Sequence, residues 1–305
     1  MSSVKPIGDL PRLMLRQVAG NIGAQITGLR LDADLEPAVV GALKQALWRY
    51  KVLFVRDQGH LDDAAHEQIA LRFGEIHDHP TQPNKAGTHI TELDSRRREN
   101  ANFWHTDQSF QDRPPAVAFL RSIVSPAVGG DTMWANCAMG YGALSESLRV
   151  LADGLRVVHT NAREDVDYET GLRAMRAPFT STLYETEHPL VRVHPRTGER
   201  CLYLGSYGHK FIGTSGYDSQ ALFRIYMDAI LKPEHIVRWN WRSGDFVMWD
   251  EAATLHYAIL DYGDQTRTMR RVTIKGDQPL GIDGKPGTMH VKVPNPIQQQ
   301  LATRG

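Results

Sequence analysis

Two histidines and a carboxylate pose the first chemical question. His105 and Asp107 are one residue apart in Trp104-His105-Thr106-Asp107, and His256 lies far down the chain in Ala253-Thr254-Leu255-His256-Tyr257-Ala258. On a strand, side chains at i and i+2 leave from the same face, so the imidazole and the carboxylate would converge. Two such ligands need a third, and His256 is the candidate. Two histidines and one carboxylate on one face of a metal leave the opposite positions open, the donor set of non-haem Fe(II) sites. A zinc hydrolase can use the same donors, so the triad alone does not choose. Beyond it stand Arg267 and Arg271. A planar guanidinium grips a carboxylate through two charge-assisted hydrogen bonds. Their even spacing on a strand would return both groups to one face, while Arg270 would point the other way.

Such groups need a rigid frame, and the sequence offers a strand-rich one. Val52-Leu53-Phe54-Val55 reads as a buried strand, and residues 116–120, 132–134 and 155–159 are strand-like, with further short strands through Ile274. Helical spacing of apolar residues marks 36–48, 145–155 and 218–230, and a helix runs from Leu61-Asp62-Asp63 to about Phe73 with an aspartate as its cap. Many short strands with Gly/Pro turns indicate a mainly β, α+β domain, a sandwich or barrel with flanking helices. One domain over 1–305 is expected, with its core at about 15–280. Residues 1–12 read as a loose leader, 74–102 as irregular and 281–305 as a peripheral tail. The polar insert 161–186 shows no period, and a loop of that length reads as a lid.

Composition narrows the function classes. Lys+Arg and Asp+Glu both number 35 in 305 residues, which removes any overall electrostatic drive towards nucleic acid or an anionic membrane. A local cluster can still bind a small anion. The two cysteines, Cys137 and Cys201, make no metal or disulfide framework. No signal-like start or membrane-length apolar run is evident, so a cytoplasmic protein is expected.

The blocks around the triad are Gly129-Gly130-Asp131-Thr132, Gly244-Asp245-Phe246-Val247-Met248-Trp249-Asp250 and Arg271-Val272-Thr273-Ile274-Lys275-Gly276-Asp277. In this order the chain resembles the taurine dioxygenase (TauD/TfdA-like) family of Fe(II)/2-oxoglutarate enzymes, from about Val18 to about Gly281. Within it, Glu185-Thr186-Glu187-His188-Pro189, Val191-Arg192-Val193-His194-Pro195 and Val237-Arg238-Trp239 look like the alkylsulfatase branch. The resemblance implies a double-stranded β-helix (jelly-roll) core, with Fe(II) on His105, Asp107 and His256, and O2 and 2-oxoglutarate as co-substrates. It further implies that Thr132 and Arg267 bind the distal carboxylate of 2-oxoglutarate, and that Arg271 and His79 meet a sulfate or sulfonate. A dimer or tetramer is implied too. His77 lies close enough to His79 to confuse a mutational test.

Several positions depart from the family pattern. Gln108 replaces the usual valine after the aspartate ligand and indicates a more polar substrate or an extra hydrogen bond to it. Gln82 and Ala101 stand where a tyrosine and an asparagine help hold taurine, which argues against taurine itself. Trp249-Asp250-Glu251-Ala252 replaces Trp-Asp-Asn-Arg, a change expected to affect packing or subunit contacts rather than the ligands. The resemblance implies a small anionic substrate, expected to be an alkyl sulfate, with a sulfonate, an aryloxyalkanoate or a natural-product intermediate as alternatives. A metal-binding jelly roll without catalysis is the remaining class.

Overall fold

The computed structural model describes residues 4–7, 10–97, 101–162 and 181–294. The chain runs β1 (Val4–Ile7), β2 (Leu10–Gln17), β3 (Ala24–Thr27), α1 (Pro37–Tyr50), β4 (Val52–Val55), α2 (Asp63–Phe73), β5 (Thr91–Asp94), β6 (Val117–Val124) and β7 (Thr132–Asn136). Two short helices, α3 (Cys137–Gly142) and α4 (Glu146–Gly154), lead to β8 (Arg156–Thr160), β9 (Thr182–Pro189), β10 (Val191–Val193), β11 (Arg200–Leu202) and β12 (Gly208–Phe211). After α5 (Gly216–Ile230) come β13 (Ile236–Trp239), β14 (Phe246–Asp250), β15 (Thr254–Ala258), β16 (Thr268–Ile274) and β17 (Thr288–Pro294).

The main sheet has eight strands in the order β1-β2-β3-β4-β14-β6-β16-β5, and only β3 and β4 are parallel within it. Smaller sheets follow the orders β13-β7-β15, β12-β8-β9-β17 and β10-β11. Period-two alternation divides the side chains of the main sheet between two cores. Leu53, Val55, Val117, Phe119, Phe246 and Met248 pack beneath α1 and α2 with Leu43, Leu47 and Ile69. Their neighbours Val52, Phe54, Ala118, Leu120, Val247 and Trp249 face Trp134 of β7 and Val237 and Trp239 of β13. Both faces of β4, β6 and β14 are thus buried, which is why these strands read as continuous apolar runs. The main sheet and the β13-β7-β15 sheet thus face each other across this second core, the layout expected of a double-stranded β-helix.

Helix ends follow local chemistry. Asp62 caps α2 by accepting from Ala65 N at 2.8 Å. Pro37 opens α1, and Lys51 ends it in the left-handed region at φ 67°.

Four expectations change. Of the expected leader 1–12, residues 4–7 and 10–12 are not loose; they belong to a hairpin of β1 and β2 that extends the main sheet. The irregular stretch 74–102 contains β5, which pairs with β16. The tail contains β17, a largely exposed strand bound to β9. Of the lid insert, residues from Thr182 onward belong to β9, whereas 163–180 lie outside the described residues.

Buried histidines tie stability to pH. His66 and His159 are fully buried, and burial lowers each from 6.5 to about 3. A depressed histidine contributes stability that is complete above pH 6.5 and lost as pH falls towards 3. Each costs up to about 1.4 kcal/mol per pH unit in that window. Urea titrations of the metal-free protein at pH 7, 6 and 5 are expected to show stability falling with pH, more shallowly in His66→Leu. A flat profile would contradict neutral burial.

Candidate active site

His105 does not lie on a continuous strand. It makes an isolated antiparallel bridge to His256 on β15, with His105 N–H to His256 O at 3.0 Å and His256 N–H to His105 O at 2.8 Å. The chain then turns, and Gln108 adopts φ 53°. Convergence therefore comes from a cross-strand pair plus a tight turn, not from i, i+2 alternation. Asp107 Oδ1 stands 3.6 Å from His105 Nε2 and 3.7 Å from His256 Nε2. One donor atom from each of the three lies within 4.8 Å of the others, all buried. These three side chains would hold a divalent metal of the kind that two imidazoles and a carboxylate favour.

The protonation states suit a metal. His105 Nδ1–H donates to Phe103 O at 2.7 Å, which turns the Nε2 lone pair inwards. Burial, reinforced by His105, drives the His256 pKa well below 6.5, so this ring is neutral. Burial alone would raise the Asp107 pKa, but Arg271 and the two histidines outweigh it and hold the carboxylate well below its usual range. Arg271 Nη1 donates to both Asp107 oxygens, at 2.9 and 2.8 Å. Arg270 leaves β16 the other way, towards Asp63 at 2.7 Å and Glu92 at 3.4 Å.

Arg267 sits just before β16, and a register irregularity between Thr268 and Met269 breaks simple alternation. It still reaches the site. Its Nε donates to Gly130 O at 3.0 Å and its Nη2 to Thr132 Oγ1 at 3.4 Å. Thr132 Oγ1 also accepts from Trp241 Nε1 at 2.9 Å, which leaves its O–H for a ligand acceptor. The approach needs glycine: Gly130 has φ 71°, and a Cβ there would stand 2.8 Å from Pro126 and 3.2 Å from Arg267 Cδ. Asp131 secures the turn by accepting from Arg238 Nε at 2.6 Å and Asn240 Nδ2 at 2.9 Å.

His79 is half-buried, and desolvation followed by Arg271 lowers its pKa to about 3. Its Nδ1 accepts from the N–H groups of Thr81 at 3.2 Å and Gln82 at 3.0 Å. The proton of this neutral ring therefore resides on Nε2. His77 is pinned to β16, with its N–H on Thr273 O and Thr273 Oγ1 on its carbonyl, both at 2.8 Å. Its Nε2–H donates to Gln108 Oε1 at 3.0 Å.

Sequence reasoning missed the braces of the turn that carries Asp107. Glu251 is 1% exposed; its Oε2 accepts from Asp107 N–H at 3.0 Å and its Oε1 from Trp249 Nε1 at 2.7 Å. Burial, then the Asp107 carboxylate, pushes its pKa well above the usual range. Thr186 Oγ1 donates to Phe110 O at 2.7 Å, and His188 Nε2–H to Gln111 O at 2.9 Å. The Glu-Thr-Glu-His-Pro and Trp-Asp-Glu-Ala blocks were the available signals.

A family model described as "Taurine catabolism dioxygenase TauD, TfdA family" matches residues 14–273. The chain belongs to the TauD/TfdA family. It is accordingly an Fe(II)- and 2-oxoglutarate-dependent dioxygenase, and the His105–Asp107–His256 cluster fits the metal that such enzymes use. It is 48% identical over 280 residues to an alpha-ketoglutarate-dependent sulfate ester dioxygenase of Pseudomonas putida, covering 90% of this chain and 93% of that one. An alkylsulfatase of Acinetobacter baylyi is 44% identical over 90% of this chain and 89% of its own length. The crystal structure of a taurine dioxygenase from Burkholderia xenovorans superposes with a TM-score of 0.78 at 33% identity, over 92% and 97% of the two chains.

Proposed function

We propose that this dioxygenase oxidises a small organic sulfate at the carbon bearing the ester oxygen. The observation that carries the reading is the cation beside the metal cluster: Arg271 lies against Asp107, with the neutral imidazole of His79 in its field. The 48% and 44% relatives named for sulfate esters and alkyl sulfates support it.

His105, Asp107 and His256 would hold iron, and Arg267 and Thr132 the distal carboxylate of 2-oxoglutarate. Iron, 2-oxoglutarate and O2 together supply an oxidation that yields succinate, CO2 and one oxygen atom inserted into a C–H bond. Arg271, His79 and Gln108 would take the anionic head of the substrate and so place its first carbon. An oxidised ester R–CH(OH)–O–SO3⁻ breaks its C–O bond to give the aldehyde, sulfate and a proton, and no nucleophilic side chain is needed. The Arg267–Thr132 cradle also favours this reading over a zinc hydrolase, which has no use for it.

Among the described residues no helix is long and apolar enough to cross a membrane. We place the protein in the cytoplasm, as one domain assembled into a dimer or tetramer, and the two buried free thiols, Cys137 and Cys201, accord with a reducing compartment. The test is anaerobic reconstitution with Fe(II) and 2-oxoglutarate, followed by alkyl sulfates and sulfonates. The expected result is a visible chelate band perturbed by a sulfate ester, then equal release of succinate and sulfate in air. A band that ignores every sulfate would reject the sulfatase reading, and one that responds to sulfonates alone would redirect the substrate.

A further inference from the structure

Gln108 combines three features. Its backbone is left-handed at φ 53°, a conformation costly for a residue with a side chain and concentrated at functional sites. With His77 protonated at Nε2, its Oε1 accepts from His77 at 3.0 Å and from Gln111 Nε2. Its Nε2 is shielded from solvent and, among the described residues, has no hydrogen-bond partner. An orphaned buried donor costs about 1–3 kcal/mol, a cost that a ligand acceptor would remove. The surroundings say which ligand. Gln108 follows Asp107, whose carboxylate carries Arg271, and His79 lies in the field of Arg271, Asp107 and His77.

We propose that Gln108 Nε2 is the third donor of a headgroup cradle completed by Arg271 and His79, and that it selects a three-oxygen monoanion over a carboxylate. This rests on the reading that Arg271 and His79 take the substrate's anionic head. One cation and two neutral donors suit a single negative charge. Three donors suit the three terminal oxygens of a sulfate ester or sulfonate, which point in three directions, whereas a carboxylate keeps its two oxygens and their lone pairs in one plane.

The test measures equilibrium binding of hexyl sulfate, hexanesulfonate and heptanoate to enzyme loaded with Fe(II) and 2-oxoglutarate under argon. Calorimetry and perturbation of the chelate band report the dissociation constants. Gln108→Leu is expected to weaken both sulfur anions by roughly ten- to a hundredfold, as for one lost hydrogen bond to a charged group. Heptanoate binding should change less than about threefold, and KM for any sulfate turned over should rise with kcat nearly unchanged. Gln108→Glu, which keeps the shape but presents a carboxylate, should lose the sulfur anions more severely while binding iron normally. Unchanged hexyl sulfate binding in Gln108→Leu, or equal loss of all three ligands, would overturn the cradle but leave the headgroup reading intact. Wild-type enzyme that binds none of the three would overturn both.

Discussion

Exchange of Asp107 for alanine is expected to lower kcat/KM by at least about a thousandfold. Loss of an outer partner of a metal ligand typically costs ten- to a hundredfold, and here the ligand itself goes. The scaffold should survive. Glu251 accepts from the backbone N–H of residue 107 rather than from its side chain, and Thr106 Oγ1 still donates to Thr254 O at 2.6 Å. The electrostatic damage centres on Arg271, whose side chain is 11% exposed and whose ion-pair partner is Asp107. Unpairing a buried charge costs about 3–5 kcal/mol, with the lower end apt for a group that keeps some water contact. Formate, a small carboxylate that fits the vacated volume, should partly restore Fe(II) affinity. Competition against a chromophoric chelator, with and without formate, measures this. Wild-type iron affinity in Asp107→Ala would sink the ligand assignment.

Much of this arrangement was legible in the chain because it depends on residue type and period. The buried strands announced themselves as apolar runs, since both faces of β4, β6 and β14 enter cores. The helices α1, α2, α4 and α5 followed from spacing and caps. Elements defined mainly by their partner were not legible. β5 has only four residues, too few to show a period, and β17, whose Met289 and Val291 are half-buried against β9, lies in a Gly/Pro-rich tail and is otherwise exposed. The metal cluster was found through a partly mistaken geometry: His105 owes its place to the bridge with His256, and Asp107 to a turn with a left-handed residue. Glu251 shows the limit most clearly. Its departure from the family block was visible, but a sequence cannot show that its carboxyl meets the backbone amide of Asp107, 144 residues away.

Replacing Arg267 with leucine is expected to raise the dissociation constant of 2-oxoglutarate by about a hundredfold, within the 2–5 kcal/mol that truncating a buried charged hydrogen-bonding partner costs. Arg267 is 9% exposed, and although burial lowers its pKa from the ordinary arginine value, a guanidinium stays charged at any working pH. Its Nε and Nη2 are committed to Gly130 O and Thr132, so the plane is set before the ligand arrives. Lysine at 267 would keep the charge and lose that fork, with an expected rise of about tenfold. Since the distal carboxylate takes no part in the bond-breaking, kcat at saturating 2-oxoglutarate should fall much less than kcat/KM. Titration of the chelate band separates this from iron loss, because iron affinity should hold in both variants. Arg271→Leu supplies the decisive contrast. If that change, rather than Arg267→Leu, weakens 2-oxoglutarate, the two arginines exchange roles, and the cation against Asp107 serves the co-substrate instead of the sulfate.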